Sequence, residues 1–146
     1  MLVMVKRGLA VLATLALPLC SASAQQPIAF VADSRGQITF VMPSHNVECT
    51  YTPAGGTPVY KPFDGGPELS CDRRDPKYVR LVLTPKSVKR FDDVGDQGGV
   101  STDNPFPYGS QWSKGPFACD SVETGLVCRR SDGRGFSVSR ERIELF

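Results

Sequence analysis

Helical periodicity is missing from this sequence. No window of about 11 residues repeats apolar side chains every three to four positions, which excludes a helix bundle and a coiled coil. An apolar run long enough for a bilayer is missing too. The longest, residues 8–20, is broken only by Thr14 and spans 13 residues, where a membrane-crossing helix needs about 20. His45 is the sole histidine and Trp112 the sole tryptophan. No two cysteines stand at the C-x₂₋₄-C spacing of structural zinc sites. Neither a G-x-S-x-G nucleophile elbow nor an EF-hand loop occurs. No metal and no cofactor is therefore expected.

The chain does contain Gly 14 and Pro 12 among its 146 residues, many of them between short β-branched and aromatic runs. That composition suits a turn-rich β protein of one domain. At the amino terminus, Lys6 and Arg7 precede the apolar run, and Ser21-Ala22-Ser23-Ala24 supplies small residues. This is the pattern of an export signal cleaved after Ala24. Cys20 ends the apolar run, and its lipidation is the competing reading, although Leu19 stands where a lipobox takes a small residue. With Lys6 and Arg7 removed, 15 basic residues balance 15 acidic ones. Charge then points to neither nucleic acid nor an anionic membrane as partner. The expected organisation is an export signal at 1–24, a flexible lead at 25–36 and a single β domain at 37–146, periplasmic or secreted and monomeric.

Four cysteines remain after cleavage: Cys49, Cys71, Cys119 and Cys128. An even number in a small exported domain indicates two disulfides. The halves of the chain echo each other, each with a strand bearing Cys, a turn-bearing gap and a Leu-x-Cys strand. The pairing expected is Cys49–Cys71 and Cys119–Cys128, each closing its own hairpin. Strands are read at residues 37–42, 47–51, 79–84 and 136–139, with shorter ones around Leu69, Phe91, Phe117 and Leu126. The turns at Gly125 and at Asp132-Gly133 are hairpin signals. The fold expected is all-β, either a small sandwich or a partly open barrel built from disulfide-closed hairpins.

Pro43-Ser44-x-Asn46-Val47-x-Cys49, Leu69-x-Cys71, Tyr108-Gly109, Gly115-Pro-Phe117-x-Cys119, Gly125-Leu-x-Cys128 and Gly133-x-Gly135-Phe136 with Ser139-Arg140 occur in this order. Together they resemble an uncharacterised family of small exported bacterial proteins. The resemblance implies a bacterial, exported, two-disulfide domain and no particular activity. Arg134 stands where that family usually has histidine.

Residues 92–109 form the longest stretch without strand pattern, and such loops are functional or mobile. Asp92, Asp93, Asp96 and Asp103 make it acidic, either as weak hard-cation ligands or as a solvated loop. Tyr108 and Trp112 follow in a Gly/Ser-rich segment. Trp112 either caps the core beside Cys119 or, with Tyr108, stacks on a sugar or anchors a protein. His45 falls in a turn between strands, where Asn46 is expected to take the left-handed conformation. The arginines 129, 130, 134, 140 and 142 read as a solvated face neutralised by Asp132, Glu141 and Glu144. The function expected is a non-catalytic binding module for an envelope protein or glycan, with enzyme inhibition as one form. Its candidate residues are Tyr108, Trp112, Asp92, Asp93 and Asp96. The alternatives are a small hydrolase using His45 and a structural envelope component.

Overall fold

The computed structural model describes residues 23–98 and 101–146. Residues 1–22, most of the expected export signal and Cys20 with it, lie outside the described residues. Strands β1(Gln26–Pro27), β2(Ile38–Val41), β3(Val47–Thr52), β4(Glu68–Arg73), β5(Val79–Leu83) and β6(Val88–Phe91) come first. They are followed by β7(Ser110–Lys114), β8(Phe117–Val122), β9(Gly125–Arg130), β10(Gly135–Val138) and β11(Ile143–Leu145). Among the described residues no helix is long and apolar enough to cross a membrane.

Each half of the chain makes its own antiparallel meander. β2-β3-β4-β5-β6 is one sheet, and β7-β8-β9-β10-β11 with β1 parallel to β7 is the other. The two sheets pack face to face as a sandwich rather than closing into a barrel. Alternation explains the packing: in β3, Val47, Cys49 and Tyr51 are buried, and in β8, Phe117, Cys119 and Ser121. Cys49 sits directly opposite Cys71, and Cys119 opposite Cys128. The disulfides are Cys49–Cys71 and Cys119–Cys128, both within the core. Two disulfides are typical of proteins from an oxidising, extracellular or periplasmic setting.

An aromatic chain runs through the core. Phe40 lies 5.1 Å from Phe30, from Phe106 and from Trp112, and Tyr51 bridges Trp112 to Phe117. Arg73 faces inward from β4 and is 6% exposed. It has no carboxylate partner among the described residues and donates to the carbonyls of Lys77, Ser139 and Arg140. These bonds tie the first sheet to the β10–β11 turn of the second. Burial pulls its pKa down.

Three segments differ from the sequence reading. The lead at 25–36 is held to the domain: Gln26 and Ile28 donate to the carbonyls of Gly109 and Gln111, and Phe30 stacks on Phe40. Of residues 92–109, the part from 101 lies along β2. Val41 donates to the Asn104 carbonyl, Phe106 donates to that of Val41, and Ser101 donates to Glu48. That crossover covers an edge whose free backbone groups would otherwise be open to pairing. The Asp132-Gly133 turn has positive φ only at Gly133 (84°). It is therefore a three-residue loop with a bulge rather than a two-residue turn. The Asp132 carboxylate explains the preference, because it accepts the Arg134 N–H as well as the Arg130 guanidinium.

Arg130 and then the Arg134 N–H hold Asp132 at about 2, against an ordinary 3.8. A carboxylate with a depressed folded pKa adds stability above its unfolded pKa and loses it as pH falls through the folded value. Asp132→Asn is therefore expected to melt below the parent protein at pH 5. The gap should close between pH 3.8 and about 2. A gap that persists at the acid end would contradict this assignment of the turn.

Candidate functional site

The outer face of the five-stranded sheet carries a groove of about 720 Å³. Its floor comes from β4, β5 and β6, because every second residue there points away from the core: Glu68, Arg80, Val82 and Lys89. One wall is the segment leading into β4. The Thr57 N–H donates to the Tyr60 carbonyl and Thr57 Oγ1 accepts from Tyr60, forming a turn that presents the Tyr60 and Phe63 rings. The other wall is the start of the crossover. Arg80 donates to the Asp96 carbonyl, and the Gly98 N–H donates to the Tyr78 hydroxyl.

Three aromatic rings at this groove are open to solvent: Phe63 is 91% exposed, Tyr60 45% and Phe91 44%. The Lys89 ammonium stands 4.9 Å from the centre of the Phe63 ring. The Tyr60 hydroxyl donates to Glu68 Oε1 at 2.6 Å. Burial and that carboxylate push the Tyr60 pKa up to about 12, so it remains a donor over the physiological range. Arg80 is fixed by two bonds to Asp72, which raise its pKa further. The polar groups of the floor are thus held in place before any ligand arrives.

A second cleft of about 440 Å³ lies at one end of the sandwich, where the β2–β3, β8–β9 and β10–β11 turns converge. Its floor includes Met42 and Leu126, and its rim includes His45, Tyr108, Glu123 and Arg140. His45, not Asn46, takes the left-handed conformation, with φ 55°. Asn46 instead exchanges two hydrogen bonds with the backbone of Asp75, locking this turn to the next. Among the described residues the His45 imidazole bonds no carboxylate and no hydroxyl.

The expected site residues therefore part company. Tyr108, 42% exposed, lines the end cleft. Trp112 is 2% exposed in β7, packed on Phe40 and Tyr51, and its surface reading is overturned. Asp92 is taken up by Arg90, whose guanidinium holds its carboxyl below the usual range. Asp93 lines the aromatic groove, and Asp96 is anchored there by its carbonyl. No group of three or more potential metal ligands exists among the described residues. The carboxy-terminal arginines are largely paired: Arg129 with Asp120, Arg130 with Asp132 and Arg142 with Glu144.

Tyr60, Phe63 and Phe91 escaped the sequence reading. Phe63 sits in Pro62-Phe63-Asp64-Gly65-Gly66, a turn with no strand period to bury it. A large aromatic at such a loop tip is the signal that could have found it. A scan against protein-family models, a search of the curated proteins and a search of the solved structures each find no match.

Proposed function

We propose that this is an exported, non-catalytic module that binds a glycan in the aromatic groove of its five-stranded sheet. The observation that carries this is the set of three exposed rings, Tyr60, Phe63 and Phe91, around fixed polar groups. Exposed rings of this size are costly in water and are put to use at binding surfaces. The faces of sugar rings are apolar and their edges are hydroxyls, which matches aromatic walls over a floor of carboxylate and guanidinium. Export follows from the amino-terminal pattern at 1–24, and the resemblance to small exported bacterial proteins agrees with it. Among the described residues the rings lining the end cleft are the Tyr108 phenol and the His45 imidazole. The hydrolase alternative rests on His45, exposed and bonded to no acid among the described residues.

The test uses the mature protein and its Phe63→Ala/Phe91→Ala variant against peptidoglycan, chitin, cellulose and soluble glucans. Both rings are solvent-exposed, so the variant should keep the parent melting temperature. The parent should bind at least one of these polymers, and the variant at least about tenfold more weakly, near 1.4 kcal/mol. Binding to none, or equal binding by the two proteins, would overturn the reading.

A further inference from the structure

The groove does not stop at Glu68. A second hollow of about 240 Å³ continues over the same sheet face, sharing Tyr60, Glu68, Arg80 and Val82 with the first. Beyond those four residues its surface adds no further ring: hydroxyls of Thr50, Thr52 and Ser70, the Gln37 amide and the carboxylates of Glu48 and Asp72. Strand register places Thr39, Thr50, Ser70, Val82 and Lys89 in one row across all five strands. Four inter-strand steps of ~4.8 Å make that row roughly 19 Å long. The sheet face thus offers a continuous track, aromatic at the β6 side and hydroxylated at the β2 side.

The junction of the two hollows holds unused bonding capacity. Glu68 is 4% exposed, and among the described residues only its Oε1 accepts a bond, from Tyr60. Its Oε2 has no protein partner there and, unlike Arg73 Nε, is not sealed from solvent, so a donor entering the groove can reach it. Arg80 commits Nε and Nη2 to Asp72, Tyr78 and Asp96, while Nη1 makes no hydrogen bond among the described residues. An acceptor and a donor therefore stand together beside the Tyr60 ring. A hydroxyl, which donates and accepts, satisfies both.

The same geometry disfavours a peptide. In β3, β4 and β5 the backbone groups are consumed by ladders on both sides. Only side chains are presented on the face, and strand addition needs a free edge. A peptide laid here would leave its own N–H and C=O groups desolvated. Charge narrows the glycan class. The two hollows are lined by five carboxylates (Glu48, Asp64, Glu68, Asp72, Asp93) against three cations (Arg80, Lys86, Lys89), which repels a polyanion.

Resting on the function proposed above, we infer that the face binds the interior of a linear, uncharged glycan laid across the strands. Rings stack at Tyr60 and Phe63, hydroxyls engage Glu68 and Arg80 at the junction, and the chain continues over Ser70 and Thr50.

Calorimetric titration with gluco-oligosaccharides and N-acetylglucosamine oligosaccharides of two to six rings tests this, with polygalacturonate as the anionic probe. Affinity for one series should rise at least about tenfold from the shortest to the longest member. Glu68→Gln, which keeps the Tyr60 bond, should weaken the six-ring ligand about tenfold, and Ser70→Leu should flatten the length dependence. Equal affinity for two and six rings, or tighter binding of polygalacturonate, would overturn the extended track while leaving a glycan site in place. No binding by either oligosaccharide series would overturn the track. If the polymers above are also not bound, the glycan reading falls with it. Melting temperatures of both variants show that a loss is not unfolding.

Discussion

Replacing Trp112 by Ala is expected to cost the folded domain about 3–5 kcal/mol. The indole is 2% exposed, 5.1 Å from Phe40 and 6.1 Å from Tyr51, and its residue pairs across the ladder with disulfide-bonded Cys119. Truncation removes one of the largest apolar surfaces in the core. It also leaves a cavity that two adjacent aromatic rings and a covalently fixed strand pair fill poorly. Such a loss is a large share of the roughly 5–15 kcal/mol that stabilises a domain of this kind. The melting temperature should fall by more than about 10 °C. Phe63→Ala is the control: that ring is 91% exposed, and its loss should leave the melting temperature within a degree or two. A Trp112→Ala protein less than about 1 kcal/mol below the parent in urea unfolding would place the indole outside the core.

Gly135→Ala should rival it for a different reason. A Cβ at Gly135 would lie 1.9 Å from the Cys128 carbonyl oxygen and 2.9 Å from the Arg129 Cα. Both obstacles are backbone, held by the β9–β10 pairing beside the Cys119–Cys128 bond, so neither can swing aside. The expected cost is about 3 kcal/mol or more, at the upper end for overpacking. Gly133→Ala separates sterics from backbone conformation. That position has open space around it but φ of 84°. Its cost should be about 1–2 kcal/mol. If the two alanine variants unfold at the same denaturant concentration, the close approach of β10 to β9 is wrong.

The all-β class, the two cysteine-bearing hairpins and both disulfides were legible because alternation and cysteine spacing are local signals. Val47, Cys49 and Tyr51 fall on one face whatever else the chain does, and Cys71 must then meet Cys49 once β3 and β4 pair. Strand β7 was hidden because its sequence, Ser-Gln-Trp-Ser-Lys, has one apolar residue. Its strand state comes from pairing with β8, on one side, and β1 on the other. The hold of Phe30 on Phe40 was invisible for the same reason, as a contact between positions with no shared pattern.

The aromatic groove was the least legible part. It combines Phe63 from a turn, Phe91 from an edge strand and Glu68 and Arg80 from the outward faces of central strands. No spacing in the sequence links them, since only sheet register brings Glu68 and Arg80 to one surface. Of the acidic residues singled out in the sequence, Asp93 lines this groove. The Asp92 carboxylate is engaged by Arg90, and Asp96 is held through its backbone carbonyl by Arg80.

The proposed glycan site is the outer face of the five-stranded sheet. An amide nitrogen–proton chemical-shift titration of the mature protein with six-ring gluco- and N-acetylglucosamine oligosaccharides tests it most directly. The predicted result is saturable shifts at residues around Phe63, Glu68, Arg80 and Phe91, with His45, Gly125 and Arg140 unmoved. Shifts gathered instead at the end cleft, or no shift with either oligosaccharide, would contradict it.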